Sequence, residues 1–276
     1  VVSVGEGVTR FRPGQRVGCI GAGYAQHATV AVVPQNLCIE LPDEVSFADA
    51  AFLMLSATAL HAIRRAAPEI GEHFLVVGLG PVGQLACQWA RVAGTHVMAW
   101  DRLPLRLEAA RRGGCDRCVH VGEEDPVAAA AEFTRGHGMD AAIMAFGGDG
   151  TEAFRQIVQT LKLSPDTHRM GRVVIVGGAT IQHRFAADLG NVDVRSAART
   201  GPGYHDDAWE HGAAYPPVFL PWTTQRNMEE CLRFMVEGRV KVAPLVTHRV
   251  SLDEAPAACD TLVERPGEAL GVVIQP

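Results

Sequence analysis

Lysine is nearly missing from this chain: only Lys162 and Lys241 appear among 25 basic residues, and arginine supplies the rest. With a formal net charge of −6, no basic stripe is available to follow a phosphate backbone, so a nucleic-acid partner is excluded. Long apolar runs are absent too, none approaching the roughly 18 residues that a membrane helix needs. Nothing is therefore expected to span a bilayer. The seven cysteines are scattered and odd in number, which suits free thiols in a reducing cytoplasm better than a disulfide framework. Cys115 and Cys118 form a lone CxxC with no second pair at zinc-ribbon spacing, and read as small side chains near a strand. Internal repeats and low-complexity tracts are lacking. No methionine or signal-like segment opens the chain, and Val1-Val2-Ser3-Val4 already reads as a strand in progress. The expectation is a piece of a longer protein whose beginning is missing.

What is present centres on Phe74-Leu75-Val76-Val77-Gly78-Leu79-Gly80-Pro81-Val82-Gly83. Four apolar residues in a row predict a strand buried on both faces, as in a parallel sheet. The glycines follow where that strand turns into a helix. Gly78 makes the tight turn, Gly80 lets a pyrophosphate approach the backbone, and Gly83 lets helix and strand pack closely. Pro81 suits the first helical turn, where its missing N–H costs nothing. The free N–H groups of Val82 and its neighbours, with the positive end of the helix dipole, favour an anion. A second strand, 96–100, ends at Asp101, eighteen residues beyond Gly83, where a carboxylate can accept hydrogen bonds from an adenosine ribose. Together these predict a dinucleotide site.

The 276 residues, 47% hydrophobic and 20% charged, make either two domains or one large one. Residues 1–50 predict short strands, at 1–4, near Val17 and at 28–33, punctuated by glycine turns. Ser46 caps a helix with Asp49 at its third position, and an alanine-rich run over 48–66 reads as a helix buried between layers. From Phe74 onward strands and helices alternate: helices at 81–93, 104–112, 125–134 and 151–163, strands at 118–121, 140–146, 172–176 and 191–197. This is the pattern of a doubly wound parallel sheet. Residues 201–222 break the rhythm as a long functional loop. A helix over 227–237, capped by Asn227, then a strand at 245–250, a helix at 254–264 and a strand at 271–274 finish the chain and are expected to complete the opening β domain.

These residues carry a resemblance. Val4-Gly5-Glu6-Gly7-Val8 with Gly14-Gln15-Arg16-Val17, the buried helix before the glycine turn, and Pro244-Leu245-Val246-Thr247-His248 resemble medium-chain dehydrogenases/reductases of the alcohol dehydrogenase type. The stretch from Gly-Pro-Gly-Tyr204 to Trp222-Thr223 and Arg226-Asn227 is similar to the branch of bacteriochlorophyllide-type dehydrogenases and two-domain oxidoreductases. The resemblance implies an α/β fold: a Rossmann domain over 51–221 with a specificity loop at 201–221, and a partial chaperonin-10-like β-barrel domain from 1–50 and 222–276. It also implies a nicotinamide cofactor, a small-molecule substrate in the cleft, and a homodimer through edge strands of the Rossmann sheet. Zinc-dependent members carry a cysteine ligand at about the position of Leu55, and leucine cannot bind zinc. The four-cysteine zinc lobe has no counterpart either, so no metal is expected.

By the same resemblance the cofactor lies over Gly78, Gly80, Pro81, Val82 and Gly83, with Asp101 at the ribose. The nicotinamide half runs along Phe146-Gly147 and Val176-Gly177-Gly178. Asp101 favours NAD by repelling a 2′-phosphate, while Arg102 and Arg106 could greet one, leaving NADP as the alternative. Without zinc, a hydroxyl or imidazole must stabilise the developing alkoxide. Thr58, His61 and Tyr204 are the candidates, with Ser56, Tyr24 and His27 behind them. Each has a plain structural reading: Ser56 and Thr58 bonding back to helix carbonyls, His61 as a satisfied interior histidine. The cluster His205, Asp206, Asp207, Glu210 and His211 reads as a solvated acidic loop, and Trp209, Tyr215 and Trp222 either wall the substrate or pack the loop. The function expected is hydride transfer between a carbonyl/alcohol pair. The alternatives are a quinone/enone reductase and a non-catalytic NAD-binding module.

Overall fold

The computed structural model describes residues 1–184 and 189–275. In chain order the elements are β1 (Val17–Cys19), β2 (Cys38–Glu40), α1 (Phe47–Ala50), α2 (Leu53–Ala66), β3 (His73–Val77), α3 (Pro81–Val92), β4 (His96–Asp101) and α4 (Pro104–Arg112). They continue with β5 (Arg117–His120), α5 (Pro126–Phe133), β6 (Ala141–Met144), β7 (Gly148–Asp149), α6 (Thr151–Thr160), β8 (Met170–Ile175), β9 (Ala179–Thr180) and β10 (Asn191–Ser196). The remainder are α7 (Asp207–Glu210), α8 (Thr224–Val236), β11 (Val246–Val250), α9 (Ala255–Glu264) and β12 (Gly271–Ile274).

Six strands form the central sheet in the order β10-β8-β6-β3-β4-β5, every neighbouring pair parallel. Because side chains alternate along a strand, the inner strands β3, β4, β6 and β8 feed two cores. Phe74, Val76, Val97, Ala99, Ala141, Ile143 and Val174 point to the layer of α2, α3 and α4. Leu75, Val77, Met98, Trp100, Ala142, Met144 and Val173 point to that of α5 and α6. This two-sided burial is what made the strands legible as unbroken apolar runs. The chain starts at β3, runs outward through β4 and β5, then crosses back to β6 on the other side of β3. The strand order therefore reverses between β3 and β6, where such sheets open a crevice at their carboxyl ends.

Outside this sheet the expectations met corrections. Residues 1–4 and 28–33 are not strands. Val2, Val30 and Val32 stand 83%, 68% and 87% exposed, and an alternating pattern without a partner to bury its apolar side gains nothing from the ladder. The two ends of the chain form two separate pairs, β1 with β2 antiparallel and β11 with β12 parallel. The single helix read over 48–66 is divided: α1 stops at Ala50, and Phe52 turns the chain into α2. Ser46 does cap α1, accepting from the Asp49 N–H at 3.0 Å. The helix assigned to begin at Asn227 begins at Thr224 instead, capped by Thr223, whose Oγ1 accepts from the Arg226 N–H. Asn227 lies buried inside its first turn, its amide already committed to Arg64 and Thr200.

The turn between β3 and α3 tolerates no side chain at Gly83, where a Cβ would stand 1.9 Å from the Gly78 carbonyl oxygen. Both partners are backbone, so neither can rotate away. Gly83→Ala is expected to cost at least about 3 kcal/mol of stability, measured by urea unfolding. A loss under 1 kcal/mol would mean that the helix can back off the strand.

Candidate functional site

The crevice is built from the ends of three strands. After β3, Gly78 takes φ +88°, a left-handed conformation that glycine adopts freely. Its N–H extends the sheet by donating to the Trp100 carbonyl at 2.9 Å. A Cβ on Gly78 would meet the Phe146 ring at 3.0 Å and the Ala145 carbonyl at 3.1 Å, so the turn is pressed against the end of β6. Gly177, at φ +108°, sits with equal closeness on the Phe146 carbonyl, 3.2 Å from where its Cβ would be. Phe146 is thus the wedge between the β3 turn and the β8 turn. Beyond it Gly147 and Gly178 lead into the short β7 and β9 pair.

Gly80 is different from Gly78 and Gly83. A Cβ there would meet nothing within 4 Å, and its φ of −62° with ψ −179° is open to any residue. The need for glycine at this position is therefore not a need of the fold. Gly80 caps α3 without a side chain, and Pro81 holds the first helical position. The N–H groups of Val82 and Gly83 belong to the first turn, where a helix has no carbonyl to offer them. Open space above a bare helix N-terminus is a fitting seat for a diphosphate.

Asp101 closes the crevice from the end of β4. Its side chain is only 7% exposed. Oδ2 accepts the Leu79 N–H at 2.6 Å, and Oδ1 accepts the N–H groups of Arg102 and Leu103 at 2.7 and 2.9 Å. The same acid that faces the crevice therefore ties the glycine turn to β4. Arg106 approaches it to 3.9 Å and is 24% exposed. Gln84 bridges the two helices here, donating to the carbonyls of Leu79 and Arg106.

The three candidates for the proton-donating role are placed less evenly. Thr58 donates its hydroxyl to the Met54 carbonyl at 2.9 Å, the helix back-bond that its position in α2 allowed. His61, one turn on, is half-buried, and Gly201 passes so near that a Cβ there would lie 3.5 Å from its Nδ1. Burial first, then the charges of Arg65 and Arg64, push its pKa below the ordinary 6.5, so the imidazole is neutral at neutral pH. Tyr204 is buried, and its hydroxyl oxygen accepts the Ala22 N–H at 2.7 Å. His61 and Tyr204 thus both border the 200–204 segment, His61 from α2 and Tyr204 from within it. Ser56 is fully buried and accepts from the Trp89 indole N–H at 3.2 Å.

The 201–221 loop is seated by Asn36, which sequence reasoning passed over, and by Asn227, which it read as a cap. Asn36 is 7% exposed. It donates to the carbonyls of Trp209 (2.5 Å) and Ala213 (3.2 Å) and accepts from Arg10 Nη1 at 2.7 Å. Asn227 donates to Thr200 and accepts from Arg64, while Thr224 and Thr200 share a hydroxyl contact at 2.9 Å. A polar pair, Gln35-Asn36, between two apolar tracts is the signal for Asn36, and it does not name a partner 173 residues away. The loop's acids are committed internally. Asp206 caps α7 and accepts from Tyr215, and Glu210 accepts the His205 N–H. Trp222 packs between the guanidinium groups of Arg64 and Arg226, 3.4 and 4.3 Å from its ring centre. Among the described residues, no three His, Cys, Asp or Glu side chains gather so as to hold a metal ion.

Two outcomes follow from this geometry. Asn36→Ala strands one buried and one partly buried carbonyl and is expected to cost about 1–3 kcal/mol, with proteolysis in 201–221 accelerated beyond that in the rest of the chain. Uniform acceleration would mean that Asn36 does not seat the loop. For His61 the folded pKa lies below the unfolded value, so its contribution is undiminished above 6.5 and stability falls as pH drops below 6.5. His61→Gln should flatten that slope, and the ring's NMR titration midpoint should lie below 6.5; a higher midpoint would overturn this.

Residues 81–208 match the family model described as zinc-binding dehydrogenase. The chain is 28% identical over 246 residues to the sorbitol dehydrogenase of Mus musculus, covering 87% of this chain and 59% of that protein. It is 29% identical over 262 residues to an alcohol dehydrogenase of Cupriavidus necator, covering 93% of this chain and 64% of that protein. The chain therefore spans less than two thirds of the length of these two relatives. The fold matches that of the 2R,3R-butanediol dehydrogenase of Bacillus subtilis with a TM-score of 0.74, at 24% identity, over 100% of this chain and 78% of that one. The reversing parallel sheet, the glycine turn at its switch point and these likenesses agree: the chain is similar to the medium-chain dehydrogenases/reductases of the alcohol dehydrogenase type.

Proposed function

We propose that this protein is a nicotinamide-dependent oxidoreductase that moves a hydride between NAD(H) and a carbonyl/alcohol pair. The observation that carries this reading is the unfilled space at Gly80, set over the N-terminus of α3 at the point where the sheet reverses. In this reading Gly80, Pro81, Val82 and Gly83 receive the diphosphate. Asp101 faces the adenosine ribose, and Phe146, Gly147, Val176, Gly177 and Gly178 line the path of the nicotinamide half. When bound, the nicotinamide supplies a hydride from its C4, which the site must hold roughly 3–3.5 Å from the acceptor carbon. The buried position of Asp101 disfavours a 2′-phosphate, so NAD is assigned over NADP.

The domain reading follows: residues 51–221 bind the cofactor, 201–221 shape the substrate side, and 1–50 with 222–276 face it across the cleft. Tyr204, within the 200–204 segment, and His61, which borders it from α2, are the groups assigned to hydrogen-bond the substrate oxygen. Leu55 offers no metal ligand, and no step here is routed through zinc. No helix among the described residues is long and apolar enough to cross a membrane, and a cytoplasmic homodimer joined along a free edge of the sheet fits this reading.

The test separates cofactor from fold. Because Gly80 has backbone angles any residue adopts and open space around it, Gly80→Val should leave the melting temperature unchanged. It should weaken NADH binding roughly 100-fold, the equivalent of two charge-assisted hydrogen bonds at about 1.5 kcal/mol each. Calorimetry reads the affinity, and NADH oxidation against aldehydes, ketones and enones reads the reaction. Affinity untouched by Gly80→Val would sink the site. Turnover on enones alone would replace the carbonyl/alcohol assignment, and tight binding without any turnover would make the chain a binding module.

A further inference from the structure

The register of β1 and β2 places Cys19 directly opposite Cys38. The flanking ladder bonds run from the Ile20 N–H to the Leu37 carbonyl (3.0 Å) and from the Leu41 N–H to the Arg16 carbonyl (2.9 Å). Hydrogen-bonded pairs alternate along an antiparallel ladder, so Cys19 and Cys38 form a non-hydrogen-bonded pair. At such pairs the Cα atoms lie about 4.5 Å apart and the side chains are closest, inside the separation that a disulfide spans, ~4.4–6.8 Å. The two sulfurs are 3.6 Å apart, so bonding needs side-chain rotation and no backbone shift. Cys19 is exposed and Cys38 buried, and both are free thiols.

We propose that Cys19 and Cys38 are a reversible disulfide site, oxidised by a low-molecular-weight disulfide, and that the bond cross-braces the two segments on which the 201–215 loop is seated. The brace follows from position. Ala22, three residues after Cys19, donates its N–H to Tyr204, and Asn36, two residues before Cys38, holds the carbonyls of Trp209 and Ala213. A covalent tie between the strands fixes the spacing of these two anchors.

The chemistry divides between an attacking and a resolving thiol. The hydrogen bond from Cys38 lowers the pKa of Cys19, while that same bond, then burial, raises the pKa of Cys38. The exposed Cys19 thiolate therefore attacks one sulfur of the oxidant RS–SR, forming a mixed disulfide and releasing RS⁻. The Cys38 sulfur then gives up its proton and displaces the second RS⁻ from Cys19. The protein loses two electrons, the oxidant gains them, and both thiol protons end on the two RSH released.

The experiment uses the full chain, incubated with glutathione disulfide, alkylated, and cleaved with chymotrypsin. No lysine or arginine lies between Arg16 and Arg64, so trypsin leaves both cysteines in one peptide, whereas cleavage after Tyr24 separates them. The expected result is a dithiothreitol-sensitive link between the Cys19 and Cys38 peptides, with two of the seven thiols protected from alkylation. Amide exchange over 201–215 should slow by roughly threefold on oxidation. Cys19→Ser should abolish both effects, and Cys118→Ser should leave both intact. The wild-type map decides even if a variant misfolds. Cys38 still open to alkylation, or thiol loss accounted for by Cys115 and Cys118, overturns the site; a link with unchanged loop exchange overturns the brace.

Discussion

The contact between the Gly83 backbone and the Gly78 carbonyl oxygen sets the position of everything that gathers at the crevice. With no Cβ between them, the first turn of α3 lies directly on the end of β3. That closeness aims the helix N-terminus at the reversal between β3 and β6. Phe146 then locks the arrangement from the neighbouring strand, its ring against Gly78 and its carbonyl against Gly177. Three chain turns share one small volume, and each needs a residue without a side chain. The strands behind them are buried on both faces, so the turns are held on a support that cannot easily yield.

A second set of constraints is polar and buried. The long-range ties that seat the 201–221 loop run through Asn36, Asn227, Arg64 and the paired Thr200 and Thr224 hydroxyls. Each bond nets only about 1 kcal/mol, but leaving a buried carbonyl or amide unpaired costs about 1–3 kcal/mol. By contrast, the arginine–carboxylate pairs along α4, α6 and α8 are mostly half-exposed and contribute little. The loop is therefore fixed by a few hydrogen bonds from distant parts of the chain rather than by the numerous exposed ion pairs.

What could be read from the sequence divides along the same line. The central sheet was legible because its strands are apolar runs and its turns are glycines, and both signals are local. The cap at Ser46 was legible for the same reason, since it bonds only to its own helix. The strands at 1–4 and 28–33 were misread because alternation says nothing about whether a partner strand exists. Asn227 looked like a cap because its residue type suits one. Thr223 holds that place, and the amide of Asn227 bonds to Thr200 and Arg64, 27 and 163 residues away in the chain. Trp222 offered an even choice between substrate wall and packing, and two arginines on its faces decide for packing.

Asp101 belongs to both categories, and its hydrogen-bond inventory limits what it can do. A carboxylate has about four acceptor positions, and three are taken by the N–H groups of Leu79, Arg102 and Leu103. One position remains for a ribose, while a ribose edge carries two hydroxyls. Under the proposed function, holding both requires that one backbone bond be shared or released, and the bond to Leu79 is the one that ties the glycine turn to β4. Part of the binding energy gained at the sugar is then offset by strain in the turn that carries the diphosphate. In that proposed function the diphosphate and the ribose are coupled through one carboxylate. Removing that carboxylate would disturb turn and sugar together, which is why the vacancy at Gly80, where fold and ligand make separate demands, isolates the binding step.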